Sequence, residues 1–367
     1  MKNFININNV KDYQGLIKES LEIKNNPYSL KKIGINKTLG LIFFNSSLRT
    51  RLSTLKAAKM LGLETIVMNF NNEGWEIEFE EKTIMSKNSA EHVKEAAQVI
   101  SQYCDIIGIR AFAELKNKNH DESEKILNSF VKYGSVPIIN LESSCAHPLQ
   151  ALADAITIEE HKNKSNPKIV ISWAPHPKSL PHAVANSFIN MARMSNYDLV
   201  ITNPIGYDLN PKVTKGINVI HNQEEAFKNA DFIYAKNWSS YNDYGKVLIN
   251  DNKWMINKRK MEITNNAKFM HCLPIRRNIV VSDDVLDNDN IILAPHMDAI
   301  LTKKGDPRFL LPYIKSCVDH FGPDMKNHSD YFKSGKTYTF QEHSHNFSND
   351  IGSITEGLQT LITNKII

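Results

Sequence analysis

The chain lacks the features that would place it in several large functional classes. Only four of its 367 residues are cysteine. Cys104, Cys145, Cys272 and Cys317 are scattered, with no CxxC pair and no metal-ligand spacing, so reduced thiols are expected and no metal or other cofactor is implied. An excess of one charge is missing too. With 44 basic and 40 acidic residues the formal net charge is +4, which makes no bulk electrostatic case for nucleic acid or an anionic membrane. Any anion site must therefore be local. No uninterrupted apolar run approaches the roughly 20 residues of a membrane helix. The opening MKNFININNVKDYQG breaks its apolar pattern with Asn and Asp, unlike the apolar centre of a signal peptide, and a cytoplasmic location is expected. No GxGxxG follows an early strand, which argues against a dinucleotide-binding dehydrogenase. Internal repeats and low-complexity tracts are lacking.

What is present is ample apolar material, 41% of residues, in a chain long enough for two domains. Short β-rich runs alternate with longer helical stretches, the pattern of parallel sheets wrapped by helices. One set of expected strands is Thr38 to Phe44, Glu64 to Met68, Ile106 to Ile109 and Pro137 to Asn140. A second set is Lys168 to Trp173, Leu199 to Thr202, Phe232 to Ala235, Phe269 to Met270 and Ile291 to Ala294. Between the sets, Pro148 to His161 carries apolar residues at helical spacing and reads as an interdomain helix. The expected fold is α/β, with two Rossmann-like parallel-sheet domains joined by interdomain helices. After Pro295 the pattern loosens, and helical spacing returns only at Ile351 to Ile362.

The segment FFNSSLRTR, residues 43 to 51, reads as a buried strand ending in a Ser/Asn turn that runs into an amphipathic helix. A helix N-terminus has unpaired N–H groups and a partial positive charge, so it can hold a phosphate without a glycine-rich loop. Ser47 and Thr50 add hydroxyls, and Arg49 and Arg51 add planar forks suited to phosphate oxygens. Taken alone, the same residues could be an N-cap serine beside two surface arginines.

The surrounding segments bear on that choice. SSLRTR, then IGIRAF with Arg110, ESSCAHPLQ with His147 and Gln150, and HCLPIRRN with Cys272, Leu273 and Arg276 occur in this order. Together they resemble the motifs of the aspartate and ornithine transcarbamylase superfamily. KTLGLIFFNSSLRTRLST, NEGWEIE, YAKNW and TNNAKFMHCLPIRRN look closest to its N-acetylornithine and N-succinylornithine branch, and the resemblance runs from about residue 1 to 294. It implies a carbamoyl-phosphate-binding domain over 1–147, with a C-terminal helix at 348–367 packing back on it, and an acylornithine-binding domain over 148–294. Residues 295–347 are then an atypical insertion.

The implied reaction is carbamoyl transfer from carbamoyl phosphate to an acylated ornithine, in arginine biosynthesis. It needs a bound phosphate leaving group, a polarised carbonyl and a neutral amine. By the resemblance Ser47, Leu48, Arg49 and Thr50 hold the phosphate, and Arg110 and His147 donate to the carbonyl oxygen as negative charge grows there. Gln150, with Pro148 and Leu149 beside it, and the backbone of Cys272 and Leu273 hold the carbamoyl NH₂. No protease-like or amidase-like signature surrounds Cys272, so its backbone and not its thiol is expected to act. The Leu273 to Pro274 bond is expected to be cis, and His271 to pack. Trp75, in the GWEIE loop, is expected to enter the site of a neighbouring subunit in a homotrimer.

Glu142, Lys236 and Arg276 match acceptor contacts of the acylornithine branch, and His176, in the cationic and polar run WAPHPKSLPHAVANS, is a further candidate contact for the acyl end. The acetyl-specific members carry a glutamate before a Glu-His pair, whereas this chain reads Ser89-Ala90-Glu91-His92. Ala90 removes a carboxylate that would repel a succinyl group, so N-succinyl-L-ornithine is favoured over N-acetyl-L-ornithine. The products are N-succinyl-L-citrulline and phosphate. A non-catalytic, transcarbamylase-like binding subunit is the reading from a different class, and it is motivated by the C-terminal region. There the family has a phosphate-binding arginine after an acidic segment, and this chain has Phe347 after Glu342 to Asn346, so either another cation such as Arg308 substitutes from the inserted segment or phosphate affinity is weakened. Val280 and Val281 stand where the family bears a modified lysine. His296, His320, His328, His343 and His345 match no tight metal motif.

Overall fold

The computed structural model describes residues 3–70, 73–249 and 251–287, all within one compact unit. Expectations placed on Ile291 to Ala294, the insertion with Arg308 and its histidines, Cys317 and the C-terminal helix lie outside the described residues.

Eleven strands occur in chain order among the described residues: β1 Thr38–Phe43, β2 Glu64–Asn69, β3 Ile77–Glu78, β4 Glu91–His92, β5 Ile106–Arg110, β6 Ile138–Glu142, β7 Lys168–Trp173, β8 Asp198–Thr202, β9 Asn218–Ile220, β10 Phe232–Lys236 and β11 Lys268–His271. The first seven α-helices are α1 Tyr13–Asn25, α2 Leu48–Leu61, α3 Val93–Tyr103, α4 Lys118–Glu122, α5 Lys125–Tyr133, α6 Pro148–His161 and α7 Ala183–Met194. One sheet has the order β2-β1-β5-β6 and the other β11-β10-β7-β8-β9, and every pairing is parallel. Parallel strands covered on both faces need unbroken apolar runs, which TLGLIF and KIVISW supply; five of six residues in each are buried. β9, with only three residues, and the two-residue pair β3-β4 are too short to leave such a run.

α6 begins with Pro148 at its first turn, where the missing N–H is not needed, and is buried from Pro148 to Ile158. It packs on β6 and α1 of the first lobe and on α7 of the second. The resulting core is continuous across both lobes, from Leu41 and Phe43 through Leu149, Leu152 and Ile156 to Ile171 and Phe188. Each such apolar side chain contributes about 1.5–3 kcal/mol on full burial. The interdomain helix is therefore a rigid floor on which both sheets rest. α2 ends at Gly62, which takes the left-handed conformation (φ 79°) that stops a helix at low cost.

Candidate active site

In both sheets the chain leaves the carboxyl ends of the strands toward one cavity of about 350 Å³. Ligands of open parallel sheets bind at such strand ends. After β1 the turn at Ser46 delivers Ser47, Leu48 and Arg49; β5 ends in Arg110, β6 in Glu142, β10 in Lys236 and β11 in His271, and all of them line the cavity with His147, His176, Cys272 and Leu273. Of the sequence-derived residues, these ten come together: Ser47, Leu48, Arg49, Arg110, Glu142, His147, His176, Lys236, Cys272 and Leu273. Arg49, Arg110 and Lys236 face a single lining carboxylate, Glu142, so the walls favour an anion.

The local register explains the sharpest contacts. A β-bulge between Ile109 and Arg110 skips one residue of β6, so Arg110 pairs with Glu142 instead of Leu141. Both side chains then leave the sheet end together, with Arg110 Nη2 3.2 Å from Glu142 Oε2. Arg110 Nη1 donates to Ser47 Oγ at 2.7 Å and to Thr50 Oγ1, and the guanidinium lies 4.2 Å from the Phe112 ring centroid. Ser47 is also the N-cap of α2, accepting from the Thr50 N–H at 3.2 Å. The capping and anion-site readings of this turn are thus compatible. Thr50 itself is fully buried behind Arg110. The Nε–H groups of Arg49 and Arg110 are buried donors without a protein partner among the described residues.

His147 is fully buried at the start of α6, its backbone N–H donating to Ser187 Oγ at 2.8 Å and its Nε2 lying 3.5 Å from Glu142 Oε2. Pro148, Leu149 and Gln150 form the buried first turn beneath it. Gln150 Nε2 donates to Asp154 Oδ1 at 2.7 Å. The Leu273–Pro274 bond is cis. His271 Nδ1 accepts the Leu273 N–H at 2.8 Å, which shapes this turn. Burial pushes the Cys272 thiol up, so it stays protonated and unsuited to nucleophilic attack, in line with a backbone role.

At the outer wall Arg276 is exposed and donates from Nε to His176 Nε2 at 3.0 Å. Burial, and then the charges of Arg276, Lys236 and Lys178, lower the His176 pKa. The neutral ring accepts from Arg276 at Nε2, and its Nδ1–H is left to donate to the Lys178 carbonyl at 2.8 Å.

One expectation needs correction. Arg51 is not part of the cavity: two residues after Arg49 the helix turns it to the other side, where its guanidinium bonds the Asn69 side chain on β2 and lies 5.4 Å from the Phe43 ring centroid. Trp75 and Ala90 also do not line this cavity. Trp75 is 61% exposed, donates to Glu91 Oε2 at 2.9 Å and borders a separate, mainly apolar cavity with Phe70, Val99 and Ile100. Phe112 and Asn45 were missed by the sequence reading. Asn45 Oδ1 accepts the Phe112 N–H at 2.6 Å, fixing the ring that stacks on Arg110. The only signal for Phe112 was its place two residues after Arg110 in IGIRAF.

Comparison with known proteins bears on what this cavity is for. Residues 2–160 match the carbamoyl-P binding domain of aspartate/ornithine carbamoyltransferase, and residues 181–298 its Asp/Orn binding domain. The chain belongs to the aspartate/ornithine carbamoyltransferase family. It is accordingly an enzyme of the carbamoyltransferase class. Among its relatives in this family, N-succinylornithine carbamoyltransferase of Bacteroides fragilis is 47% identical over 297 residues, covering 80% of this chain and 93% of the relative. N-acetylornithine carbamoyltransferase of Xanthomonas axonopodis is 36% identical over 277 residues, or 70% and 80% of the two chains. The crystal structure of acetylornithine transcarbamylase with acetylcitrulline superposes with a TM-score of 0.79 at 31% identity, covering 86% of this chain and 99% of that one. A variant of N-acetyl-L-ornithine transcarbamylase with one glutamate replaced by valine, complexed with carbamyl phosphate and N-succinyl-L-norvaline, gives 0.80 at 31%, with 86% and 100% covered.

Proposed function

We propose that this carbamoyltransferase moves the carbamoyl group of carbamoyl phosphate to the δ-amine of N-succinyl-L-ornithine, giving N-succinyl-L-citrulline and phosphate, as a step of arginine biosynthesis. The observation that carries the reading is the meeting of Ser47, Arg49, Arg110 and His147, from three distant segments, in one cation-rich cavity. Phosphate is held by the turn at Ser47 to Thr50 and by the Arg49 Nε–H, which has no protein partner among the described residues. Arg110 and His147 stabilise the oxyanion that forms when the neutral amine attacks the carbonyl carbon. The bond from that carbon to the phosphate oxygen then breaks, and phosphate departs with the proton lost by the amine. Gln150 and the backbone at Cys272 and Leu273 hold the carbamoyl NH₂. No step requires a metal or a cofactor.

Lys236, His176 and Arg276 stand at the acceptor end, where they neutralise or hydrogen-bond carboxylates, and Glu142 accepts from the acceptor's nitrogen. The small, uncharged Ala90 supports succinyl as the acyl group. The resemblance puts a glutamate of acetyl-specific members at this place. Variants of N-acetyl-L-ornithine transcarbamylase with one glutamate exchanged for alanine, serine, proline or valine hold N-succinyl-L-norvaline. The two relatives bearing the succinylornithine name, 47% and 46% identical, lend the same support.

Because Ala90 and Trp75 do not line the cavity of their own subunit, the reading includes a homotrimer in which each subunit completes its neighbour's site. Exposed Ile66, Trp75, Ile84, Val99 and Tyr103 provide apolar surface for such contacts. It also includes the division into residues 1–147 for carbamoyl phosphate and 148–294 for the acceptor, and a cytoplasmic location. No helix among the described residues is long and apolar enough to cross a membrane. The test is kcat/KM for ornithine and its N-acetyl and N-succinyl forms with carbamoyl phosphate. The succinyl form should win; a win for unmodified ornithine, or no turnover with any of the three, removes the reading.

A further inference from the structure

Beneath the cavity floor lies a buried polar line in which His147, Gln150 and Cys272, used in the mechanism above, are joined by Asp154 and Tyr234, which it does not use. His147, Gln150 and Asp154 fall at i, i+3 and i+7 on α6 and so share one helix face. His147 lines the cavity, and Gln150 and Asp154 are fully buried below it. Gln150 Nε2 donates to Asp154 Oδ1 at 2.7 Å, while Gln150 Oε1 is a buried acceptor without a protein partner among the described residues. Asp154 interacts in turn with the hydroxyl of Tyr234 on β10, and that hydroxyl with Cys272, which lines the cavity again. The line thus starts and ends at the cavity wall, with Gln150 one turn from His147.

We propose that Asp154 is a positioning residue: from below, it engages the NH₂ of the Gln150 amide and so turns the amide oxygen toward the NH₂ of carbamoyl phosphate, with Tyr234 holding Asp154 in place. This rests on the carbamoyl-phosphate reading of the cavity. A primary amide has one donor end and one acceptor end. Left free, Gln150 could present either. Tied by Nε2 to a buried carboxyl group, it can offer only an acceptor, and an acceptor matches the NH₂ of a carbamoyl group and not the methyl of an acetyl group. Burial pushes the Asp154 carboxyl up to about 8, so near neutral pH it keeps a proton, and with it one donor, while Oδ1 accepts from Gln150. Asparagine can copy that pattern of one acceptor and one donor; leucine, of similar size, can copy neither.

The experiment compares KM for carbamoyl phosphate with Ki for acetyl phosphate as a competitive inhibitor. In the unaltered enzyme carbamoyl phosphate should be preferred. Asp154→Leu should cut that preference by about tenfold, the worth of one hydrogen bond to a buried polar group, and leave Ki for acetyl phosphate unchanged. Asp154→Asn should keep most of the preference. A preference retained in Asp154→Leu, a parallel loss of both affinities, or an Asp154→Asn as impaired as Asp154→Leu overturns the proposal. If Asp154→Leu does not fold, Tyr234→Phe takes its place: the preference should fall, and an unchanged value overturns the proposal. Gln150→Leu separates the two levels of the argument. If it too leaves the preference intact, the role of Gln150 itself fails; if it abolishes a preference that Asp154→Leu retains, only the positioning by Asp154 fails.

Discussion

The two ends of the cavity are built differently. At the end proposed for the phosphate and carbonyl, Ser47, Thr50, Arg110 and His147 hang from strand ends or the first turns of helices, are largely buried, and hold one another: Arg110 reaches Ser47, Thr50 and Glu142, and Glu142 lies near His147. At the end proposed for the acceptor, Lys236 is partly exposed, Arg276 is exposed with His176 as a partner, and Ala90 belongs to an exposed loop away from this subunit's own cavity. Groups that must stabilise charge in a transition state gain most from being fixed beforehand in a water-poor place. Groups that choose between acyl chains work through added or missing contacts at the rim, where an exchange of one residue disturbs no core. The same scaffold can therefore keep its chemistry and change its acceptor.

The comparison predicts that damage differs in kind as well as size between the ends. His147→Ala should lower kcat by about 10²–10³, the usual cost of losing one oxyanion donor, with little change in the KM of the acceptor. Steady-state kinetics with the succinyl acceptor decides this. A variant in which KM rises and kcat survives would make His147 a binding group and dissolve the contrast.

Ala90→Glu should act at the rim alone. A new carboxylate facing the succinyl end should reduce kcat/KM for N-succinyl-L-ornithine by about tenfold or more, while the N-acetyl form is spared. Equal losses for both acceptors would mean that Ala90 does not sense the acyl group. Because the proposed contact crosses between subunits, mixing Ala90→Glu chains with inactive His147→Ala chains is informative as well. Trimers assembled from both should contain sites that pair an intact His147 with the unaltered Ala90 of a neighbouring His147→Ala chain, alongside sites with both defects, so succinyl activity should recover in part. Succinyl activity that stays as low in the mixture as in the separate variants would place Ala90 outside the neighbour's site.

The difference between the ends also governs what can be read from sequence. β1, β7 and the helix from Pro148 to His161 were legible because each is a continuous apolar or helical-period run bounded by clear breakers. Ser47, Arg49, Arg110 and His147 were legible because each sits in a short local motif next to such a run. Arg51 was misplaced, since a motif does not say which way a helix faces once its first turn packs; the side chain went to Asn69 and Phe43 instead. The bulge that sets Arg110 beside Glu142, and the line from Gln150 through Asp154 to Tyr234, join residues far apart in the chain. Buried polar partners of that sort depend on strand register and tertiary packing, which periodicity does not encode. Phe112 was overlooked for the same reason, as its value lies in the face it offers to Arg110.

The smallest effect expected concerns the pair that closes the rim. Its fractional burial is the main reason the His176 pKa is lowered, and the neighbouring charges of Arg276, Lys236 and Lys178 add to it in that order. Removing Arg276 by Arg276→Ala takes away the largest of these charges, so the His176 midpoint, followed by its ring-proton resonances across the acid range, should rise yet stay below its usual value. The sign follows from the lowered pKa: the neutral ring is the form the fold favours, so the stability it contributes is complete above the ordinary histidine pKa and is lost as pH falls through the depressed one. Acid should therefore break the Arg276–His176 bond in the unaltered protein, by placing two positive groups against each other, and should have less to break in Arg276→Ala. A midpoint that falls in the variant would mean that Arg276 had been favouring the charged ring, and the two residues would then have to be read as separate groups and not as one rim contact.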